Sequence, residues 1–247
     1  AALCESFGGA HAIVCNSGTA ALHLIYMSIG LGPKAGLVTS PLTFVATANA
    51  ARMCGAPVTF SDTDAVTGLM TPEDLERAIE NADFPVRAAS VIHLGGRVVD
   101  LPALRAVAEA HNVLLVEDAC HAPGASYDSV AGRHRIGDCS HSVAAAFSFH
   151  AIKHVTMGEG GAVLTNDPEL AARMRLLRNH GLERNADAWT QAPEPNAPWY
   201  YEMREIGWNY RADELACNLG LSQLKRLPDG LEIRRELVHR YNDLLAD

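Results

Sequence analysis

Phe147-Ser148-Phe149-His150-Ala151-Ile152-Lys153, followed by Thr156-Met157-Gly158-Glu159-Gly160-Gly161, ends an apolar run on one lysine beside a hydroxyl and a glycine-rich turn. A lysine amine becomes a nucleophile, or a partner for an aldehyde, when a partly desolvated pocket disfavours its ammonium form. Lys153 is the candidate for such an amine. Taken alone, the stretch equally describes a solvated lysine after a core strand, so its neighbours must decide.

Working outward, strand-like runs at residues 56–60, 88–92, 113–116, 142–147 and 162–165 alternate with helical patterns. That order predicts an α/β layer fold with a mostly parallel central sheet flanked by helices. The apolar strands bounded by turns imply burial on both faces. Helix starts are legible: Thr71-Pro72-Glu73-Asp74 combines a cap, a first-turn proline and acidic residues, Asp100 precedes a helix over residues 101–110, and Asp167-Pro168 opens another ending near Asn179. Residues 213–227 read as a helix that Pro228 stops, and residues 191–198, with three prolines, read as a loop. The chain opens on what reads as the tail of a helix and stops inside an amphipathic pattern carried by Leu231, Leu237, Val238, Tyr241, Leu244 and Leu245. The expectation is a fragment: residues 1–228 form a large domain cut at its N-terminus, and residues 229–247 a helix leading toward a further domain.

At 247 residues and 48% hydrophobic content the chain can bury a full core. No apolar run reaches the roughly 20 residues that span a bilayer, and no signal-peptide order opens the chain, so a cytoplasmic, membrane-free protein is expected. A formal charge of -9, from 29 acidic against 20 basic residues, gives no diffuse basic field for nucleic acid. An anionic substrate would need local cations. Cys4, Cys15, Cys54, Cys120, Cys139 and Cys217 show neither a C-x-x-C pair nor zinc spacing, which predicts reduced, mostly buried thiols.

Two further stretches carry chemistry. Asn16-Ser17-Gly18-Thr19-Ala20-Ala21 leads into the helical pattern of Leu22, Leu24, Ile25 and Ile29, so free N–H groups and a helix dipole face whatever lies before it. Ser17 and Thr19 add hydroxyls, and Gly18 permits close approach of an anion to the backbone. An ordinary N-cap would look the same. Val113-Leu114-Leu115-Val116-Glu117-Asp118-Ala119-Cys120-His121 places acids at the end of an apolar strand, where open α/β sheets bind ligands. A buried Asp118 could hold a pyridinium nitrogen protonated, or be a structural acid; a metal on Asp118 and His121 lacks a third ligand of matching spacing. Gly207-Trp208-Asn209-Tyr210-Arg211, alone, reads as a packed corner.

Together these stretches resemble the pyridoxal-phosphate-dependent nucleotide-sugar aminotransferases of the DegT/DnrJ/EryC1/StrS family. The resemblance runs from NSGTAALHL at Asn16 through SPLTFVATANA at Ser40, VIHLGG at Val91, VEDACHAPGASY at Val116, FSFHAIK and GEGGAVLTND to GWNYRADELACNLGLSQLKRL at Gly207. It implies the fold-type-I transferase architecture, with the small C-terminal domain largely absent. It makes Lys153 the lysine that holds pyridoxal 5'-phosphate, Asp118 the partner of the pyridine nitrogen, and Ser17, Gly18, Thr19, Ala20 and Ser148 the phosphate site. It also makes Phe44 the aromatic on the ring, His121, where many relatives have glutamine, a neighbour of the ring hydroxyl, and Asn209 a contact to the phosphate of the neighbouring subunit.

FSFHAIK, Gly137-Asp138-Cys139-Ser140-His141-Ser142, RNHG at Arg178 and Trp199-Tyr200-Tyr201-Glu202 further resemble the branch aminating UDP-4-keto-6-deoxy-N-acetylhexosamines toward pseudaminic acid. Lys34-Ala35-Gly36-Leu37 and Arg133-His134-Arg135 depart from the family pattern without touching a named cofactor contact. The implied reaction is ping-pong transamination from L-glutamate in a homodimer with shared active sites, with Arg178, His180 and Arg211 as candidates for the substrate pyrophosphate and no metal. Family dehydratases carry histidine in place of the lysine; here His150 and His154 flank the site, but the aligned position is Lys153. The rival of another class is a cofactor-binding regulatory or scaffolding protein.

Overall fold

The computed structural model describes residues 1–191 and 197–246. In chain order its helices are α1 (Ala2–Phe7), α2 (Gly18–Ser28), α3 (Ala46–Met53), α4 (Pro72–Glu80), α5 (Leu101–Ala110), α6 (Pro168–Leu177), α7 (Glu214–Lys225) and α8 (Leu227–Leu244). Its strands are β1 (His11–Cys15), β2 (Gly36–Thr39), β3 (Val58–Phe60), β4 (Val86–Ile92), β5 (Leu114–Asp118), β6 (Ser126–Ser129), β7 (Gly132–Arg135), β8 (Ala144–Ser148), β9 (Gly161–Thr165), β10 (Leu182–Glu183) and β11 (Glu202–Met203). The proline-rich loop expected over residues 191–198 has residues 192–196 outside those described.

The run that ends on Ser148 is the strand β8, buried along its whole length because its three alanines and Phe147 carry nothing that needs water. It lies inside a seven-stranded sheet of order β1-β9-β8-β5-β4-β2-β3. The pairs from β8 through β5, β4 and β2 to β3 are parallel, while β9 runs antiparallel to both β8 and β1. Every strand except β9 therefore ends at the same edge, where Cys15, Asp118 and Ser148 close β1, β5 and β8. One apolar core joins a sheet face to α2, α3 and α6, and the other packs α4 and α5 on the opposite face.

Helix ends follow side-chain chemistry: Thr71, Asp100 and Asp167 accept the first-turn N–H groups of Asp74, Ala103 and Leu170. α6 ends at Leu177, two residues short of the expected Asn179. Pro228 departs from its expected role. α7 ends at Lys225, and Pro228 sits in the first turn of α8, where its missing N–H costs nothing. The short strands β1 and β2 escape the sequence pattern, and of the six free cysteines only Cys15 and Cys139 are fully buried. Among the described residues, no helix is long and apolar enough to cross a membrane.

Candidate active site

A cavity of about 290 Å³ opens at the shared strand edge, lined by the mouth of α2, the ends of β5 and β8, and the turns that follow them. At the helix mouth Ser17 caps α2 by accepting the Ala20 N–H at 3.0 Å. Gly18 and Thr19, at the first helical positions, have no carbonyl within the helix to receive their N–H groups. Ala20 lies behind this mouth, fully buried, with its N–H already given to Ser17. The backbone is crowded here. A Cβ on Gly18 would stand 2.8 Å from the Ser148 Cβ, and one on Gly161 would stand 2.2 Å from the Ser17 carbonyl oxygen. Gly18→Ala is therefore expected to push Ser148 away from the helix, lower stability by about 1–3 kcal/mol and weaken binding of a phosphate-bearing ligand. Thermal unfolding and fluorescence titration with pyridoxal phosphate, read together, check both effects.

Asp118 ends β5 with 6% of its surface exposed. Its Oδ2 accepts the Thr47 hydroxyl at 2.7 Å, Thr47 meets Thr43 at 2.9 Å, and Oδ1 accepts the Cys120 N–H at 3.2 Å. Each carboxylate oxygen retains a further lone pair for a ligand. Glu117, the other acid of the strand, is buried and tied to His93 at 3.0 Å and to the Ser142 hydroxyl, so it serves the framework. His121 lines the cavity and accepts the Gly95 N–H on Nδ1 at 3.4 Å. Burial, and next the Lys153 charge, lower its pKa, which leaves a neutral imidazole near pH 7. Burial pushes the Cys120 thiol far up, so it does not compete with Lys153 as a nucleophile.

Lys153 stands on the turn after β8. Its N–H donates to the His150 carbonyl at 2.9 Å, while Phe149 and Gly160 tie the start of the turn to its glycine-rich end at 2.8 Å. Buried Phe149, Val155 and Met157 hold the turn from below. His150 pairs with Glu159 at 3.6 Å, and both line the cavity with Lys153. Phe44, 69% exposed, forms the lip opposite. Lys153, Asp118, His121, Ser148, Phe44, Ser17, Gly18 and Thr19 thus converge on one space from four separate stretches.

Asn209, Arg178, His180 and Arg211 lie elsewhere. Asn209 is exposed, bridges to Asn179, and its carbonyl receives Asn16 Nδ2 at 3.4 Å. Arg178, His180 and Arg211 share a separate surface groove with Arg175 and Arg184. Arg178 donates to the Val14 carbonyl at 2.7 Å, and Arg211 to Asn179 Oδ1 at 2.6 Å. Sequence reasoning missed Thr47 and Glu159. The Thr43/Thr47 spacing of four at the start of α3, and the only carboxylate in the GEGG turn, are the signals that could have found them.

The model of the DegT/DnrJ/EryC1/StrS aminotransferase family matches residues 1–247. The chain belongs to that family. Among relatives, the UDP-4-amino-4,6-dideoxy-N-acetyl-beta-L-altrosamine transaminase of Campylobacter jejuni is 39% identical over 241 residues, 98% of this chain and 59% of that protein. GDP-perosamine synthase of Caulobacter vibrioides is 36% identical over 245 residues, 99% of this chain and 60% of the relative. Helicobacter pylori PseC, described as an aminotransferase involved in the biosynthesis of pseudoaminic acid, matches with a TM-score of 0.85 and 32% identity over 100% of this chain and 61% of that one. The chain of this DegT/DnrJ/EryC1/StrS member thus spans about three fifths of the length of these relatives.

Aminotransferases of the DegT/DnrJ/EryC1/StrS family depend on pyridoxal phosphate, and a solved relative from Streptococcus pneumoniae in its PLP form superposes with a TM-score of 0.83 at 25% identity over 99% of this chain and 62% of that one. The residues here fit that group. A helix mouth with donors for a phosphate, a buried carboxylate with free lone pairs, and a lysine face the same cavity.

Proposed function

We propose that this protein is a pyridoxal-phosphate-dependent aminotransferase that moves an amino group from L-glutamate to C4 of a UDP-linked 4-keto-6-deoxy-N-acetylhexosamine, in the cytoplasm and as a homodimer. The observation that carries this is the meeting of Lys153 and Asp118 in one cavity with the open mouth of α2. Residues 1–228 act as the cofactor-binding domain, and residues 229–247 as the helix leading out of it. Bound pyridoxal phosphate supplies an aldehyde that exchanges amines and a ring that accepts electrons. Gly18, Thr19 and Ser148 bind its phosphate, Phe44 covers its ring, Asp118 holds the proton on its nitrogen, and His121 meets its hydroxyl as a neutral imidazole. Lys153 Nζ would anchor the cofactor and, when displaced, would carry a proton between the substrate carbon and the carbon that bore the cofactor's aldehyde.

The sugar is supported by the names of the relatives at 39% and 32% identity, and the GDP-linked relative at 36% favours another nucleotide-linked keto sugar as the second reading. With a net charge of -9 overall, a nucleotide pyrophosphate requires a local concentration of cations, which the groove of Arg178, His180 and Arg211 provides. Borohydride reduction of the protein loaded with pyridoxal phosphate, followed by peptide mapping, should label Lys153. A label on another lysine, or no adduct, defeats the assignment. A panel of UDP- and GDP-linked 4-keto sugars with glutamate then separates the two substrates.

The homodimer rests on the exposed apolar lip of Leu42, Phe44 and Val45 and on Asn209, which is exposed and does not line its own cavity. A Lys153→Ala chain can still lend Asn209, and an Asn209→Ala chain still has Lys153. In a purified heterodimer of the two, one site carries both defects and the other neither. Recovery of up to half the wild-type activity per dimer is the expected result, and no gain over the parent variants, with subunit exchange verified, rules out a shared site.

A further inference from the structure

α2 is buried on nearly every side, yet it carries a histidine in its middle: His23, with 1% of its surface exposed, between buried Leu22 and Leu24. An imidazole in such a place costs free energy unless it is hydrogen-bonded. Its bond leaves the helix for a distant part of the chain. His23 Nδ1 lies 3.0 Å from the Tyr210 hydroxyl. Burial lowers the pKa of His23 and raises that of Tyr210, so a neutral imidazole and an un-ionised phenol share this bond near pH 7.

His23 also meets both aromatic rings of the corner formed by residues 207–211, edge-on, with centroids 5.4 Å from Trp208 and 5.9 Å from Tyr210. Those two rings stack on each other at 5.6 Å. Asn209, between them, pairs as an antiparallel bridge with Asn179, and in extended backbone successive side chains take opposite sides. Trp208 and Tyr210 occupy the side that meets His23, which leaves the exposed Asn209 on the other. The backbone of the corner has supports of its own. The Trp208 N–H donates to the Leu177 carbonyl at 2.8 Å, the Tyr210 N–H to the Arg178 carbonyl at 3.0 Å, and the Asn16 N–H to the Tyr210 carbonyl at 3.0 Å. Among the described residues, the Tyr210 hydroxyl is held by His23.

We propose that His23 is a positioning residue for the neighbouring subunit's site: by holding Tyr210 it fixes the face of the corner from which Asn209 reaches the cofactor phosphate in the partner's cavity. The proposal rests on the shared-site homodimer reading above. His23 stands one helical turn after Thr19, which lines the cavity of its own chain, but His23 lines none of that cavity. Its effect therefore falls on the partner's site. A histidine that only packed α2 would instead disturb the helix mouth of its own chain.

The measurement is the pyridoxal phosphate concentration that half-saturates borohydride-retained label on Lys153, which counts only sites that possess that lysine. In homodimers, His23→Leu and Tyr210→Phe should each raise it about three- to tenfold, and the double variant no further, as for two ends of one hydrogen bond. His23→Asn, whose amide donates and accepts, should recover part of the loss. Tyr210→Phe leaves α2 untouched and carries the test if His23→Leu does not fold. Amide hydrogen exchange at residues 208–210 of the unloaded dimer should rise in both single variants.

Heterodimers then locate the effect. In a His23→Leu chain paired with a Lys153→Ala chain, the labelled site receives Asn209 from a subunit with intact His23, so half-saturation should return to the wild-type value. With both substitutions on one chain and a wild-type partner, the labelled site should show the full defect. Asn209→Ala is carried through the same two arrangements. Unchanged half-saturation in both single-variant homodimers, or a His23→Leu defect that stays with the labelled chain, overturns the positioning role. If Asn209→Ala nevertheless acts across the dimer, the shared site stands and only the role of His23 falls. If Asn209→Ala does not act across the dimer, the shared-site reading falls as well.

Discussion

Lys153→Ala is expected to abolish covalent retention of pyridoxal phosphate after borohydride treatment and to lower turnover by about 10³-fold or more. Two roles are lost together. In the proposed assignment the amine that anchors the cofactor disappears, and so does the group that moves a proton at the substrate carbon, an effect of about 10²–10⁴ by itself. The turn should survive, because its own bonds run through the backbone of His150, Phe149 and Gly160 and through buried Phe149, Val155 and Met157. Unfolding temperature should therefore change little. Lys153→Arg, which keeps a cation but not a nucleophile, should behave like the alanine variant in the reduction experiment. Turnover within tenfold of wild type in either variant would show that another group performs the chemistry.

Asp118→Asn should separate anchoring from electronics. The amide can still accept the Thr47 hydroxyl that Asp118 receives at 2.7 Å, and it occupies the same volume, so the cofactor should still attach at Lys153. A neutral amide does not stabilise a protonated ring nitrogen, and loss of one such electrostatic contact costs about 10²–10³ in kcat. The absorbance of the bound cofactor checks attachment, and single-turnover rates check the chemical step. Near-normal rates would remove Asp118 from its assigned place. Thr47→Ala is the milder companion, because it leaves the charge and removes only one of the two donors that orient it.

The sheet was legible in the sequence where strands are apolar and followed by a chemical signal. β8 and β5 announced themselves by ending on Ser148 and on Glu117-Asp118, and α4, α5 and α6 by their caps at Thr71, Asp100 and Asp167. β1 and β2 did not. β1 opens on a histidine, and β2 on a glycine two residues after Lys34, so their strand character comes from pairing with β9 and β4. Pro228 illustrates the same limit, since a proline marks a boundary without saying which helix it belongs to. In the site, motif residues were readable because their chemistry is rare at such positions. Thr47 and Glu159 were not, because their place depends on Asp118 and His150, far away in the chain in one case and across a turn in the other.

The close fit of Gly161 beneath the Ser17 carbonyl bears on how the chain folds. Cys15 pairs with Gly161 and Val14 with Ala162 in the antiparallel ladder between β1 and β9. A slip of one residue would bring Ala162 opposite Cys15 and drive a methyl group into the space that only glycine leaves open. Correct register and an open helix mouth are thus a single event. It joins the two strands of the sheet most distant from each other in sequence, and contacts of that separation carry the largest loop-closure cost. Partly folded chains that lack this ladder have no seat for a phosphate, so the cofactor rewards only the finished sheet.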